Sequence, residues 1–151
     1  MSLDQLSRSA YGEDHEAFRA TVRQFLEKEV APNQAKWAED GIVPRDLWPK
    51  AGELGLLCPT VPEEYGGLGL DFGYNAIVDE ENPYYGRVTT GFSLQSASVT
   101  SYIGRYGSEE QKRHWLPKMV AGEVITAIAM TEPGTVSDLQ GMRTRAKKDG
   151  N

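Results

Sequence analysis

Between Glu13 and Ala121 the apolar residues recur at the 3.6-residue period of helices, and after Gly122 that period gives way to a β-branched run. The pattern predicts a mainly α fold: an N-terminal bundle of about five helices, followed by the first strands of a truncated β domain. Phe18, Val22, Phe25, Leu26 and Val30 fall on one helical face, and Pro32 is expected to end that helix, because the residue before a proline is pushed out of helical geometry. A second helix is expected to start at Pro44 and carry Leu47, Trp48, Ala51, Leu54 and Leu57. Residues 59–73 hold too many prolines and glycines for a regular element and read as a loop. Asp71 caps a third helix that Pro83 stops. The fourth, Thr90 to Tyr106, is apolar on more than one side and reads as the buried central helix. Ser108 and Gln111 form a capping box that opens the fifth, which Gly122 terminates.

Beyond Gly122, the run Val124 to Met130 suits a buried strand. Met142 to Lys148 alternates as a second extended segment and finishes in Asp149-Gly150, a hairpin signal. A hairpin turn without a return strand predicts a polypeptide that stops inside a β domain, giving a division into 1–122 and 123–151. No internal repeat is visible.

Sixteen basic against 22 acidic residues leave a net charge of −6, and no basic cluster is dense enough to hold a phosphate backbone, so nucleic acid is excluded as a partner. The longest apolar run is about a third of the ~20 residues a membrane-spanning helix needs, so no membrane span is expected. With a single cysteine and no leader-like segment, the chain reads as cytoplasmic, of bacterial type, or otherwise intracellular.

Few residues carry a chemical signal of their own. His15 and His114 lack the spacing of metal ligands and read as surface residues, and no metal is expected. Cys58, in Leu56-Leu57-Cys58-Pro59, reads as buried packing rather than a reactive thiol. Asp79-Glu80-Glu81 reads as a solvated or salt-bridged helix face. The glycines of 66–73 depart from nucleotide-loop spacing, no lysine follows, and Glu63-Glu64 would repel phosphate. More informative is Ala127 to Asp138, where an extended run delivers Thr131, Ser137 and Asp138 into a Pro/Gly corner. Backbone amides and hydroxyls there suit a ring carbonyl or a phosphate, or serve only as loop caps.

Met130-Thr131-Glu132-Pro133-Gly134 followed by Ser137-Asp138-Leu139-Gln140-Gly141 resembles the first signature of the flavin-dependent acyl-CoA dehydrogenases, T-E-P-G-A-G-S-D. Val61-Pro62-Glu63-Glu64-Tyr65-Gly66-Gly67-Leu68-Gly69 and Tyr106-Gly107-Ser108-Glu109-Glu110-Gln111-Lys112 agree in order and spacing, so the resemblance covers about Glu13 to Asn151. The Phe92-Ser93 helix and the Asp138-Leu139-Gln140-Gly141 continuation look most like the long-chain branch.

The resemblance implies a helical domain, a middle β domain and a C-terminal bundle around FAD and an acyl-CoA thioester. It also implies an oxidoreductase in which a carboxylate base takes the α proton while the β hydrogen leaves as hydride to the flavin, giving a trans-2-enoyl-CoA. Carried over by position, Ile128, Met130, Thr131, Val136 and Ser137 are cofactor-binding, with Met130 and Thr131 at the ring edge. Ser137, Thr90, Gly91 and Leu94 are substrate-binding, the last three toward the far end of the acyl chain. The catalytic base and the CoA-binding arginine of relatives fall after Asn151, so no catalytic residue is assigned and the isolated chain is expected to be inactive. Electron-transfer flavoprotein is the implied electron acceptor and a homo-oligomer, a tetramer in relatives, the implied assembly. A non-catalytic helical module of the same fold and an acyl-CoA oxidase are the alternatives.

Thr135 and Val136 stand where the signature has Ala and Gly, and a β-branched residue neither adopts positive φ cheaply nor permits the same close backbone approach. Weakened flavin contact is expected there. In a full-length parent, Val136→Gly should tighten FAD binding in a fluorescence titration; an unchanged affinity contradicts this reading.

Overall fold

A computed structural model of the protein describes residues 11–86, 89–135 and 137–150. Among the described residues, five helical rods build the bundle. The first runs through α1 (Glu13–Phe25), a π turn (Leu26–Val30), a 3-10 turn (Ala31–Asn33) and α2 (Gln34–Asp40). Then come α3 (Leu47–Glu53), α4 (Phe72–Glu81), a rod made of a π turn (Leu94–Val99) and α5 (Thr100–Tyr106), and α6 (Glu109–Val120).

Pro32 does not end the first rod as expected. The π turn ahead of it lets the Ala31 amide donate to the Leu26 carbonyl, five residues back, and the Asn33 side chain donates to the Glu29 carbonyl at 2.9 Å. Widening the helix by one residue absorbs the donor that proline lacks and the clash its ring would make. The rod therefore continues to Gly41, whose φ of 70° stops it. By contrast, the predicted caps of α4 and α6 form: Asp71 Oδ1 accepts from the Gly73 amide at 2.7 Å, and Ser108 and Gln111 exchange both capping-box bonds.

Val22, Phe25, Leu26 and Val30 turn inward from the first rod and meet Trp48, Ile77 and Phe92, while Leu116 and Met119 of α6 belong to the same buried cluster. The Trp48 and Phe92 rings pack edge-on with centroids 4.9 Å apart. The rod expected to be the apolar centre is only partly so. Phe92 is buried, but Leu94, Tyr102 and Tyr106 face outward, and the buried face carries Gln95, Ser96 and Thr100. A π turn rotates the rest of its helix by about one residue, so apolar spacing alone misplaces the face.

The extended segments are present without their sheet. Residues 125–131 and 142–150 form no strand ladder; the one bridge among the described residues joins Glu132 to Thr135. Val124 to Met130 is thus not the buried strand expected but a half-exposed, unpaired one, because a strand is covered only when a neighbour supplies hydrogen bonds and a face to pack on. No described helix is long and apolar enough to cross a membrane.

Charge, as well as apolar area, holds α1 to α4. Arg19 is almost wholly buried, and its Nη1 donates to Glu81 at 2.6 Å and to Glu80 at 2.9 Å, with its guanidinium 4.9 Å over the Tyr11 ring. Arg23 meets Glu81 through two bonds of 2.8 and 3.0 Å. Of the two readings of the acidic run, the salt-bridged one holds for Glu80 and Glu81. Burial pushes the Glu81 carboxyl up, but hydrogen bonds from Arg23 and Arg19 outweigh it and hold the group below the usual carboxylate range. Its stabilisation is therefore complete above about pH 4.3 and is lost as pH falls through the depressed value. Urea unfolding should show Glu81→Gln destabilised by about 2 kcal/mol at neutral pH, the cost of losing the buried carboxylate that Arg19 and Arg23 share, with a difference that shrinks in acid.

Candidate functional site

The site begins where the chain leaves the bundle. Gly122 closes α6 at φ 71°, and a Cβ there would sit 2.4 Å from the Trp48 carbonyl, so only glycine lets the exit lie on the backbone of α3. Arg45 adds a bond from Nη2 to the Glu123 carbonyl at 2.6 Å. Slightly further along, Gln95 reaches across from its π turn. Its Nε2 donates to the Met119 carbonyl at 2.9 Å, and its Oε1 accepts from the Thr126 amide at 3.0 Å and the Thr126 hydroxyl at 3.3 Å.

From there the chain runs free. Among the described residues, Ile128 to Thr131 make no backbone hydrogen bond, and Met130, Thr131 and Ser137 are exposed, with Ile128 half-buried. The corner itself is firmly made. The Thr135 amide donates to the Glu132 carbonyl at 2.9 Å, and Thr135 is buried. The Glu132 carboxylate reaches sideways to accept from the Arg143 amide at 2.5 Å, the Thr144 amide at 2.9 Å and the Thr144 hydroxyl. Asp138 accepts from the Gly141 amide at 3.2 Å. A side chain added at Gly134 would meet nothing within 4 Å, leaving that face of the corner open. Unpaired amides, two hydroxyls, a thioether and an open glycine face form a donor set that fits the polar edge of a planar heterocycle. Val136 lies outside the described residues.

The other predicted residues gather at the start of the central rod. Thr90 is buried and accepts from the Asn82 side chain at 2.7 Å, so its hydroxyl is engaged inside the bundle. Gly91 has φ 80°, and a Cβ there would meet only the Trp48 ring at 3.7 Å; the backbone conformation, more than lack of room, demands glycine. Leu94 is exposed. Gln95, the next residue, ties this turn to the extended segment.

Elsewhere the chemistry is quiet. Burial pushes the Cys58 thiol up to about 11, which keeps it protonated, and its amide donates to Ser96 Oγ at 3.0 Å. His114 is exposed, whereas His15 is half-buried: Nδ1 accepts from the Gly12 amide, Nε2 meets Asp71 at 3.2 Å, and the ring lies 4.4 Å from that of Tyr74. The glycine-rich loop spends its amides internally, Gly69 on the Val61 carbonyl and Leu70 on that of Pro59, which leaves them closed to a phosphate. No metal-ligating cluster exists among the described residues. Sequence reasoning missed Gln95 and the hold of Glu132 on residues 143 and 144; a glutamine amid apolar helix positions is the hint for the first, and the signature that contains Glu132 says nothing of the second.

Hydrogen bonds from the Thr144 hydroxyl and then the Arg143 amide hold the Glu132 carboxyl below its usual range. Its grip on residues 143 and 144 is thus present at neutral pH and fades as pH falls through that depressed value. Glu132→Ala should raise hydrogen exchange at the Arg143 and Thr144 amides while leaving exchange in α1 and α4 unchanged.

The Acyl-CoA dehydrogenase, N-terminal domain family profile matches residues 12–123. The chain is 51% identical over 144 residues to the mitochondrial long-chain specific acyl-CoA dehydrogenase of Sus scrofa, covering 95% of this chain and 34% of that protein. An acyl-CoA dehydrogenase from Geobacillus kaustophilus superposes with a TM-score of 0.83 at 53% identity, over 87% of this chain and 34% of the other. A glutaryl-CoA dehydrogenase from Mycobacterium smegmatis in complex with FADH2 also gives 0.83, at 34% identity, over 96% and 38%. The chain thus spans about a third of the length of the relatives it matches. The profile match over residues 12–123 and the identity to these relatives make this chain a member of the acyl-CoA dehydrogenase family.

Proposed function

We propose that the chain forms the N-terminal part of an FAD-dependent acyl-CoA dehydrogenase that converts fatty acyl-CoA thioesters to trans-2-enoyl-CoA, with a long-chain preference. The observation that carries this reading is the stretch from Ile128 to Thr131, which makes no backbone hydrogen bond among the described residues and leads into the corner that bears the family signature, with Met130, Thr131 and Ser137 exposed. Residues 1–122 form the helical domain and 123–151 open the middle β domain.

FAD, when bound, supplies the hydride acceptor for the hydrogen leaving the β carbon. This chain supplies position. Backbone donors near Ile128, Met130 and Thr131 hold the ring edge, Val136 and Ser137 border it, and the Ser137 hydroxyl reaches a phosphate or the thioester arm. At the other end, Gly91 and Leu94 line the path of the acyl tail, with Thr90 bracing the turn from inside through Asn82. Glu132 and Asp138 accept from backbone amides and serve the corner. By the family resemblance the base lies outside these 151 residues, which alone are inactive. Electron-transfer flavoprotein is the acceptor, the assembly is a homo-oligomer, and the location is intracellular, in keeping with the mitochondrial pig relative.

The altered Thr135-Val136 pair favours a second reading, a non-catalytic module of the same fold. The protein as encoded should purify with the absorbance of bound oxidised flavin, and acyl-CoA should bleach it anaerobically, while residues 1–151 alone should do neither. Failure to take up FAD favours the module; peroxide release in air assigns an oxidase.

A further inference from the structure

We propose that Gln95 is a positioning residue, which sets the register between the substrate-facing turn Thr90–Leu94 and the flavin-facing edge that starts at Ile128. The proposal rests on the functional reading above. Gln95 is wholly buried, directly follows the exposed Leu94, and opens inward because the rod is a π turn at that point. Both halves of its amide are used: Nε2 on the Met119 carbonyl, Oε1 on the amide and hydroxyl of Thr126. Among the described residues, the Thr126 bond is the last hydrogen bond between the bundle and the extended segment before the corner at Glu132.

Register follows from satisfaction. Sliding the segment by one residue would turn Thr126 away and orphan a buried amide oxygen, a cost that an apolar contact would not impose. A one-residue slip also flips every side chain of an extended segment to the other face, so the same bond decides which face Ile128 and Met130 present. Thr131 lies only five residues beyond Thr126, within the reach of a single extended stretch that starts at the tether. A shift at the Leu94 turn therefore reaches the ring-edge donors through one side chain rather than through the whole bundle.

Three variants of the protein as encoded test this, read by the FAD dissociation constant of the apoprotein and by hydrogen exchange at residue 126 and its neighbours. Gln95→Met keeps the volume and removes all three bonds. Thr126→Pro removes both donors from a segment outside the core, so the bundle folds regardless. Thr126→Ser keeps both. Gln95→Met and Thr126→Pro should weaken FAD binding about tenfold, as a sub-ångström misplacement of a site would, and Gln95→Met should speed exchange at the Thr126 amide. Thr126→Ser should match the wild type on both readouts. Wild-type FAD affinity in Thr126→Pro overturns the positioning role, whether or not Gln95→Met folds. Failure of the wild-type protein to bind FAD overturns the functional reading itself, a separate outcome visible before any variant is made.

Discussion

Everything the chain presents for chemistry depends on one backbone-on-backbone contact, the seat of the α6 exit on α3. Gly122 lies against the Trp48 carbonyl, and Gly52, one turn along α3, lies equally close to the carbonyls of Val120 and Ala121. Two glycines at one crossing let main chains touch without intervening side chains. Packing of that kind has little slack, because no rotamer can yield. The exit direction is therefore a property of the bundle, and the Arg45 bond to the Glu123 carbonyl reinforces it.

Polar ties then do what apolar packing cannot. The core of Trp48, Phe92, Leu116 and Met119 supplies non-directional attraction, which fixes that the rods associate but tolerates small shifts among them. Arg19 with Glu81, and Gln95 with Met119 and Thr126, add directional bonds at buried positions where an unmet partner is costly. The first tie aligns α1 with α4. The second hands the geometry of the bundle to a segment that otherwise hangs free. At the corner, Glu132 repeats the device locally by gripping the amides of residues 143 and 144. An edge whose own amides stay unpaired is thus held by side chains from behind, which keeps its open face accessible.

Local signals in the sequence marked most of the helices correctly. Asp71 and the Ser108–Gln111 pair cap their helices because capping is settled within four residues. The Thr131–Asp138 corner was legible for a different reason: several motifs in register carried a family likeness that no single residue's chemistry would have supported. Pro32 misled because a π turn, which depends on packing around Leu26 and Val30, absorbs the proline without ending the rod. The central rod misled for the same reason at Leu94–Val99.

The sequence by itself determined the helical period, the caps, the change to extended chain after Gly122 and the membership of the family, since each rests on neighbours in the chain or on the order of residues along it. Only the tertiary structure decided that Gln95 and not an apolar neighbour faces inward, that Glu81 pairs with two arginines from another helix, and that Glu132 turns back to residues 143 and 144. Those pairings span from eleven to sixty-two positions, and a hydrogen bond between distant residues leaves no trace in the local period of either. Burial makes such bonds strong and selective, and burial belongs to the assembled bundle.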